Sequence, residues 1–148
     1  KEGLLLYVIA YSLATIGLFA VLAKMSDYSY DGFNGLARQQ PFLAMLITIF
    51  VLSLSGIPLT AGFLSKFLML KATLAAGGSL WLVIVAVVMA VISISYYFRI
   101  LQAMYFKNAE KENIIIVSSQ FKWTLAVLAT LLILLGIFPN LFFGFFYF

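Results

Sequence analysis

Lys66 is the residue of this chain best placed to do chemistry. It is the first charge in an apolar run that begins at Phe42 and continues to Ala76. Two helical turns before it lies Gly56-Ile57-Pro58, and the hydroxyls of Ser55, Thr60 and Ser65 fall between or beside them. A lysine at membrane depth costs about 2.5 to 3.5 kcal/mol on insertion scales, so it is kept where it carries protons or ions. The chemistry this set suits is proton transfer. An amine binds and releases the proton, while hydroxyls and unwound backbone supply hydrogen-bond partners along the way. The plainer readings of Lys66 are snorkelling to an interface or structural pairing with another helix. Its position beside a Gly/Pro break favours the path.

The elements around Lys66 must therefore be broken. As one straight helix, the run from Phe42 to Ala76 would be about 50 Å long at about 1.5 Å per residue. A hydrocarbon core is only about 30 Å thick, and tilt does not absorb the difference. Pro58 has no amide hydrogen for the carbonyl of Leu54, and its ring crowds that carbonyl. Ile57, before a proline, is pushed away from helical angles, and Gly56 and Gly62 loosen both sides. Backbone freed in this way survives at membrane depth only against protein or a water-filled cavity. A helical side chain points back toward the N-terminus, so Lys66 reaches over Gly62 toward the break and toward Ser55, Thr60 and Ser65.

Composition sets the wider class. Of 148 residues, 65% are hydrophobic and 9% charged, far below the roughly 25% charge of a soluble domain. This is an all-α, polytopic membrane protein. Its net charge of +4 is scattered, which argues against nucleic acid as a partner and leaves the lipid bilayer as surroundings. Cys and His are both absent, which excludes disulfides, thiolate chemistry and the commonest metal ligands, so no cofactor or metal is expected on this chain. Spans are predicted at about 4–23, 41–76 with a break near 56–60, 80–106 and 123–138, in a single transmembrane region. Pro41 is a good first-turn residue, residues 76–79 make a turn, and Pro139-Asn140 ends the last span before an aromatic tail. Position 1 is Lys, and the chain is expected to be a piece of something longer. Lys24, Arg38, Lys107, Lys111 and Lys122 fall on one side, against Lys1 and Lys71 on the other. Loops 24–40 and 107–122 are therefore predicted to be cytoplasmic, which puts Lys66 past the middle, toward the outer face.

The remaining polar residues invite milder readings. Arg99 suits snorkelling within an aromatic belt, or anchoring of a neighbour. Ser93, Tyr96 and Tyr97 share a helical face and could present hydroxyls to the broken span, although small-residue helix packing accounts for Ser93 equally well. Lys71 reads as interfacial. All five acids, Glu2, Asp27, Asp31, Glu110 and Glu112, lie in loops or at the terminus, so Lys66 has no carboxylate partner within these spans.

The stretch Leu54 to Phe67, Leu-Ser-Gly-Ile-Pro-Leu-Thr-Ala-Gly-Phe-Leu-Ser-Lys-Phe, resembles the broken-helix motif of the antiporter-like subunits of respiratory complex I, whose pattern is close to Leu-Ala-Gly-Ile-Pro-Pro-Thr-x-Gly-Phe-x-Gly-Lys-Phe. Residues 92–106, Ile-Ser-Ile-Ser-Tyr-Tyr-Phe-Arg-Ile-Leu-Gln-Ala-Met-Tyr-Phe, resemble the next helix in the subunit N branch of that family. Arg38-x-x-Pro41 and Leu135-Gly136-Ile137-x-Pro139 match the connection before the broken helix and the last helix. Leu59 stands where the pattern has a second proline, and Ser65 where it has glycine.

The resemblance implies the last four helices of a fourteen-helix subunit, carrying the second of two broken helices. It implies that Lys66 is the lysine used for proton release toward the outer side, and that Ser55, Gly56, Pro58, Thr60, Gly62 and Ser65 line the channel. NADH:quinone oxidoreductase activity would belong to the assembled complex, with NAD, FMN, iron–sulfur clusters and quinone elsewhere in it. Partners would be the other membrane subunits, including neighbouring antiporter-like ones, in a bacterial inner membrane. A multisubunit cation/proton antiporter, a membrane-bound hydrogenase or a purely structural scaffold are the alternatives.

Overall fold

The computed structural model describes residues 2–109, 115–139 and 144. Lys1, Glu110, Lys111, Glu112, Asn140 and nearly all of the aromatic tail, on which sequence expectations were placed, lie outside the described residues. In chain order the elements are α1 (Glu2–Leu22), a 3-10 turn (Tyr30–Phe33), α2 (Leu36–Gln39), α3 (Pro41–Ser55), α4 (Ala61–Ala75), α5 (Leu80–Phe106) and α6 (Ser119–Ile137). The fold is all-α, with no strand among the described residues. α1, α5 and α6 are each long and apolar enough to cross a membrane. α3 and α4, at 15 residues each, are shorter.

The core follows from helical periodicity. Ala10, Ala14, Leu18 and Val21 recur every three or four residues on α1 and are buried against Leu43, Ile47, Phe50 and Val51 of α3 and Leu125, Ala129 and Leu132 of α6. Small residues on α1 let the backbones approach closely, which is how apolar helices associate where lipid removes the usual hydrophobic drive. α1 and α6 both pack against α3 and α4, and so clasp the two short helices. α5 stands apart. Only Ala103 and Met104 of its 27 residues are buried, both near its C-terminal end.

The 24–40 connection is more structured than its polar composition suggests. The backbone N–H of Ser29 donates to Asp27 Oδ1 at 2.9 Å, and holds that carboxyl below the ordinary aspartate range. The N–H of Gly35 donates to the carbonyl of Ala103 at 3.1 Å, and Arg38 Nη1 donates to Asn108 Oδ1 at 2.7 Å. Gln40 Nε2 reaches the carbonyl of Ile115 at 3.0 Å. These contacts put residues 24–40 and the described part of 107–122 at one end of the molecule. The exposed Lys107–Asp31 pair at 3.7 Å adds little. α6 begins at Ser119, one turn before Trp123, because Ser118 Oγ accepts the N–H of Phe121 at 3.2 Å and caps it. Lys122 therefore sits in the first turn of that helix.

Between α3 and α4 the chain is non-helical from Gly56 to Thr60. Leu59 there has φ 79°, in the left-handed region that a leucine rarely enters. A proline is held near −65° and cannot take that angle, so this turn follows a path that a second proline would not allow. Leu59→Gly should relieve strain of about 1 to 2 kcal/mol and raise the thermal midpoint of the assembled protein in detergent. Leu59→Pro should lower it. A leucine-to-proline change that left the midpoint unmoved would show that the left-handed residue is not required.

Candidate functional site

The site grows out of the way α3 ends. Gly56, at φ 78°, turns the chain in the left-handed conformation, which glycine adopts without a Cβ penalty. Its N–H and that of Ile57 fold back onto the carbonyls of Ser53 (3.1 Å) and Leu52 (3.0 Å), the paired bonds of a Schellman cap. The next carbonyl, that of Leu54, would bond the amide four residues on, but that residue is Pro58 and has no hydrogen to give. Lys66 Nζ takes its place, donating to the Leu54 oxygen at 2.8 Å. The break thus creates an acceptor, and the lysine twelve residues later occupies it.

Two close contacts make this reach possible. A Cβ on Gly62 would overlap the carbonyl oxygen of Ser53, so α4 crosses the end of α3 nearly backbone to backbone. A Cβ on Gly136 would collide with the backbone of Thr60 and Ala61, so α6 presses directly on the start of α4. The lysine side chain then runs back over Gly62 and lies against Gly56. Its ammonium rests at the C-terminal end of α3, where exposed carbonyls carry partial negative charge. Among the described residues Lys66 has no ion-pair partner. The end of α3 therefore serves as its counter-charge.

The other sequence-derived residues divide. Ser55, Thr60, Gly62 and Ser65 are buried at the break, Gly56 and Lys66 are half-buried, and Pro58 is exposed. None of the hydroxyls touches the ammonium. Ser55 donates to the carbonyl of Val51 at 2.6 Å, Thr60 to Ile57 at 2.8 Å and Ser65 to Gly62 at 3.1 Å. Their lone acceptors are their own backbones, because a hydroxyl in an apolar helix finds the preceding turn before it finds another element. A cavity of about 600 Å³ opens between α4 and α5, and Lys66, Ser55, Gly56, Ser93 and Tyr97 all line it. Ser93 donates to the carbonyl of Met89 at 2.9 Å. Tyr96 and Arg99 do not line the cavity and are exposed on the outer face of α5, as is Lys71 on α4.

Sequence reasoning overlooked α1. Tyr7 and Tyr11, their rings stacked with centroids 5.8 Å apart, line the same cavity. Their signal was legible in principle: two hydroxyl-bearing residues four apart in an otherwise apolar helix. It also overlooked the Leu54 carbonyl as the specific acceptor. Chemically, the arrangement offers an amine with one fixed partner and, beside it, a mainly apolar cavity edged by a few hydroxyls, with no carboxylate among the described residues. No three of His, Cys, Asp or Glu come together among the described residues to hold a metal.

Residues 1–93 match the NADH:quinone oxidoreductase/Mrp antiporter transmembrane family. The chain is 41% identical, over 94% of its length, to NADH-quinone oxidoreductase subunit N 2 of Acidobacterium capsulatum, and covers 30% of that protein. It is 39% identical over 96% of its length to the corresponding protein of Herpetosiphon aurantiacus, covering 27% of it. A chain of respiratory complex I from Thermus thermophilus superposes on 95% of this chain with TM-score 0.85 at 29% identity, and this chain covers 33% of that one. The chain thus spans about a third of the length of the relatives it matches.

Proposed function

The chain belongs to the NADH:quinone oxidoreductase/Mrp antiporter family of membrane proteins, and from that premise we propose that it forms the outward-release half of a proton channel in a proton-pumping NADH:quinone oxidoreductase, with Lys66 as the relay. The observation that carries this reading is the seat of Lys66 Nζ on the carbonyl that Pro58 leaves free, at the edge of a cavity. In the ammonium state the side chain is held there by one hydrogen bond and the end of α3. In the neutral state that attraction weakens, and the amine is free to accept a proton arriving from the membrane midline. Release proceeds through the cavity toward the outer face. Moving one charge against 100 mV requires about 2.3 kcal/mol, which a modest change in the lysine's surroundings can match.

Loops 24–40 and 107–122 face the cytoplasm in this reading, supported by their shared end of the molecule and their basic residues. The spans are α1, the broken pair α3 and α4, α5 and α6, in a bacterial inner membrane. NAD, FMN, iron–sulfur clusters and quinone are held by other subunits, and neighbouring antiporter-like subunits are the partners within the membrane. The subunit N relatives favour this complex over a cation/proton antiporter built on the same helices. Purification of the whole protein from its membrane decides between them. Quinone and iron–sulfur subunits should accompany it, and their absence from an intact, active transporter would favour the antiporter.

A further inference from the structure

Ser53 behaves unlike the other hydroxyl residues of α3. Thr48 and Ser55 donate to the carbonyls of Ala44 (2.8 Å) and Val51 (2.6 Å), one turn back. Thr73 on α4 and Thr124 and Thr130 on α6 do the same. Ser53 Oγ has no hydrogen-bond partner, although the residue is only 2% exposed. Buried hydroxyls in apolar surroundings are paired as a rule, and an exception calls for an account. Beside this one is a small cavity of about 10 Å³, bounded by α1, α3 and α4 and lined by Ser53, Leu54, Ser65, Lys66, Tyr7 and Tyr11, with Gly62 leaving it open. That is room for about one water molecule, which needs at least two polar partners to stay. Two face it. Ser53 Oγ is unpaired, and the Lys66 ammonium has three hydrogens, of which Leu54 takes one.

We propose that this cavity holds one ordered water hydrogen-bonded to both Ser53 Oγ and Lys66 Nζ, and that Ser53 thereby acts as a positioning residue for the lysine. The inference rests on the relay reading only for its functional consequence; the water site itself stands on the unpaired hydroxyl and the cavity. With Leu54 on one side and the water on the other, the ammonium has two fixed acceptors. Removing the serine hydroxyl takes away the anchor of the second.

The test uses the complete complex carrying Ser53→Ala, a near-isosteric change that removes a hydroxyl with no partner on the protein and should not impair assembly. High-resolution density of the unaltered complex should show a water within about 3.2 Å of Ser53 Oγ and Lys66 Nζ, and the alanine variant should lack it. Pumping in proteoliposomes should fall about tenfold, the effect of one hydrogen bond to a charged group, and its pH midpoint should move by about one unit. A merely structural serine would leave that midpoint in place. Dry density at the site, or unchanged pumping and pH profile in Ser53→Ala, would overturn the proposal. Normal pumping by a Lys66 variant, with the water still seen, would instead overturn the relay and leave the water site standing.

Discussion

Lys66→Arg is expected to stop proton pumping about as completely as Lys66→Ala, while assembling better than it. Arginine keeps the positive charge and has donors enough for the Leu54 carbonyl. With a pKa above about 12, it cannot cycle its proton. Loss of a positioned proton carrier lowers turnover by about 100-fold or more. The alanine variant differs in stability. It removes a half-buried ammonium, but it also strands the carbonyl that Pro58 already deprived of an amide, and a buried unpaired acceptor costs about 1 to 3 kcal/mol. The two variants should therefore separate structure from transport: arginine close to wild type in thermal stability, alanine lower, and both inactive in a proteoliposome pumping assay. An anchoring lysine predicts the reverse for function, since arginine would restore most of the activity. Full pumping by the arginine variant would falsify the relay.

Gly62→Ala should be nearly as damaging by a different route. The added Cβ has nowhere to go, because it would overlap the carbonyl oxygen of Ser53, which belongs to backbone and cannot swing aside. α4 must shift away from α3, and overpacking of this kind costs about 1 to 3 kcal/mol, at times more. The same shift would move α4, and Lys66 with it, away from the end of α3 that carries the Leu54 oxygen. A displacement of about 1 Å in a catalytic group can cost about 100-fold in rate. The expected outcome is lower yield of assembled complex, and deficient pumping per assembled complex. Wild-type values of both would mean that α3 and α4 are not held as closely as their backbones indicate.

What the sequence discloses about this site depends on how locally each residue acts. Pro58 deletes a hydrogen-bond donor wherever it is placed, and Gly56 permits a left-handed turn, so the interruption between Ser55 and Ala61 has causes visible in a short window. The all-α membrane class is equally plain from long apolar runs with few charges. Leu59 carries no such mark, since leucine ordinarily avoids the angle it takes. Ser53 and Ser55 are the same residue two positions apart, yet one bonds its own helix and the other does not. That difference comes from what α1 and α4 place beside them. Tyr96 and Tyr97 are adjacent, and only the phase of α5 decides that the second meets the cavity. Helix phase and neighbour identity are tertiary, and a spacing pattern records neither.

The shortness of the two half-helices bears on how the protein enters the membrane. At 15 residues each, they are about 22 Å long, less than the roughly 30 Å that a translocating segment must cover. Neither can be recognised alone as a membrane span during synthesis, and α4 also carries Lys66 and Lys71. In the proposed topology they therefore partition into lipid as a joined unit, with the turn drawn in between them. The earlier span α1 is already available to shield that turn as it emerges, whereas α6 arrives later to press on it through Gly136. Sealing of the turn is thus completed only when α6 is made, and a ribosome stalled before α6 would leave it open on that side.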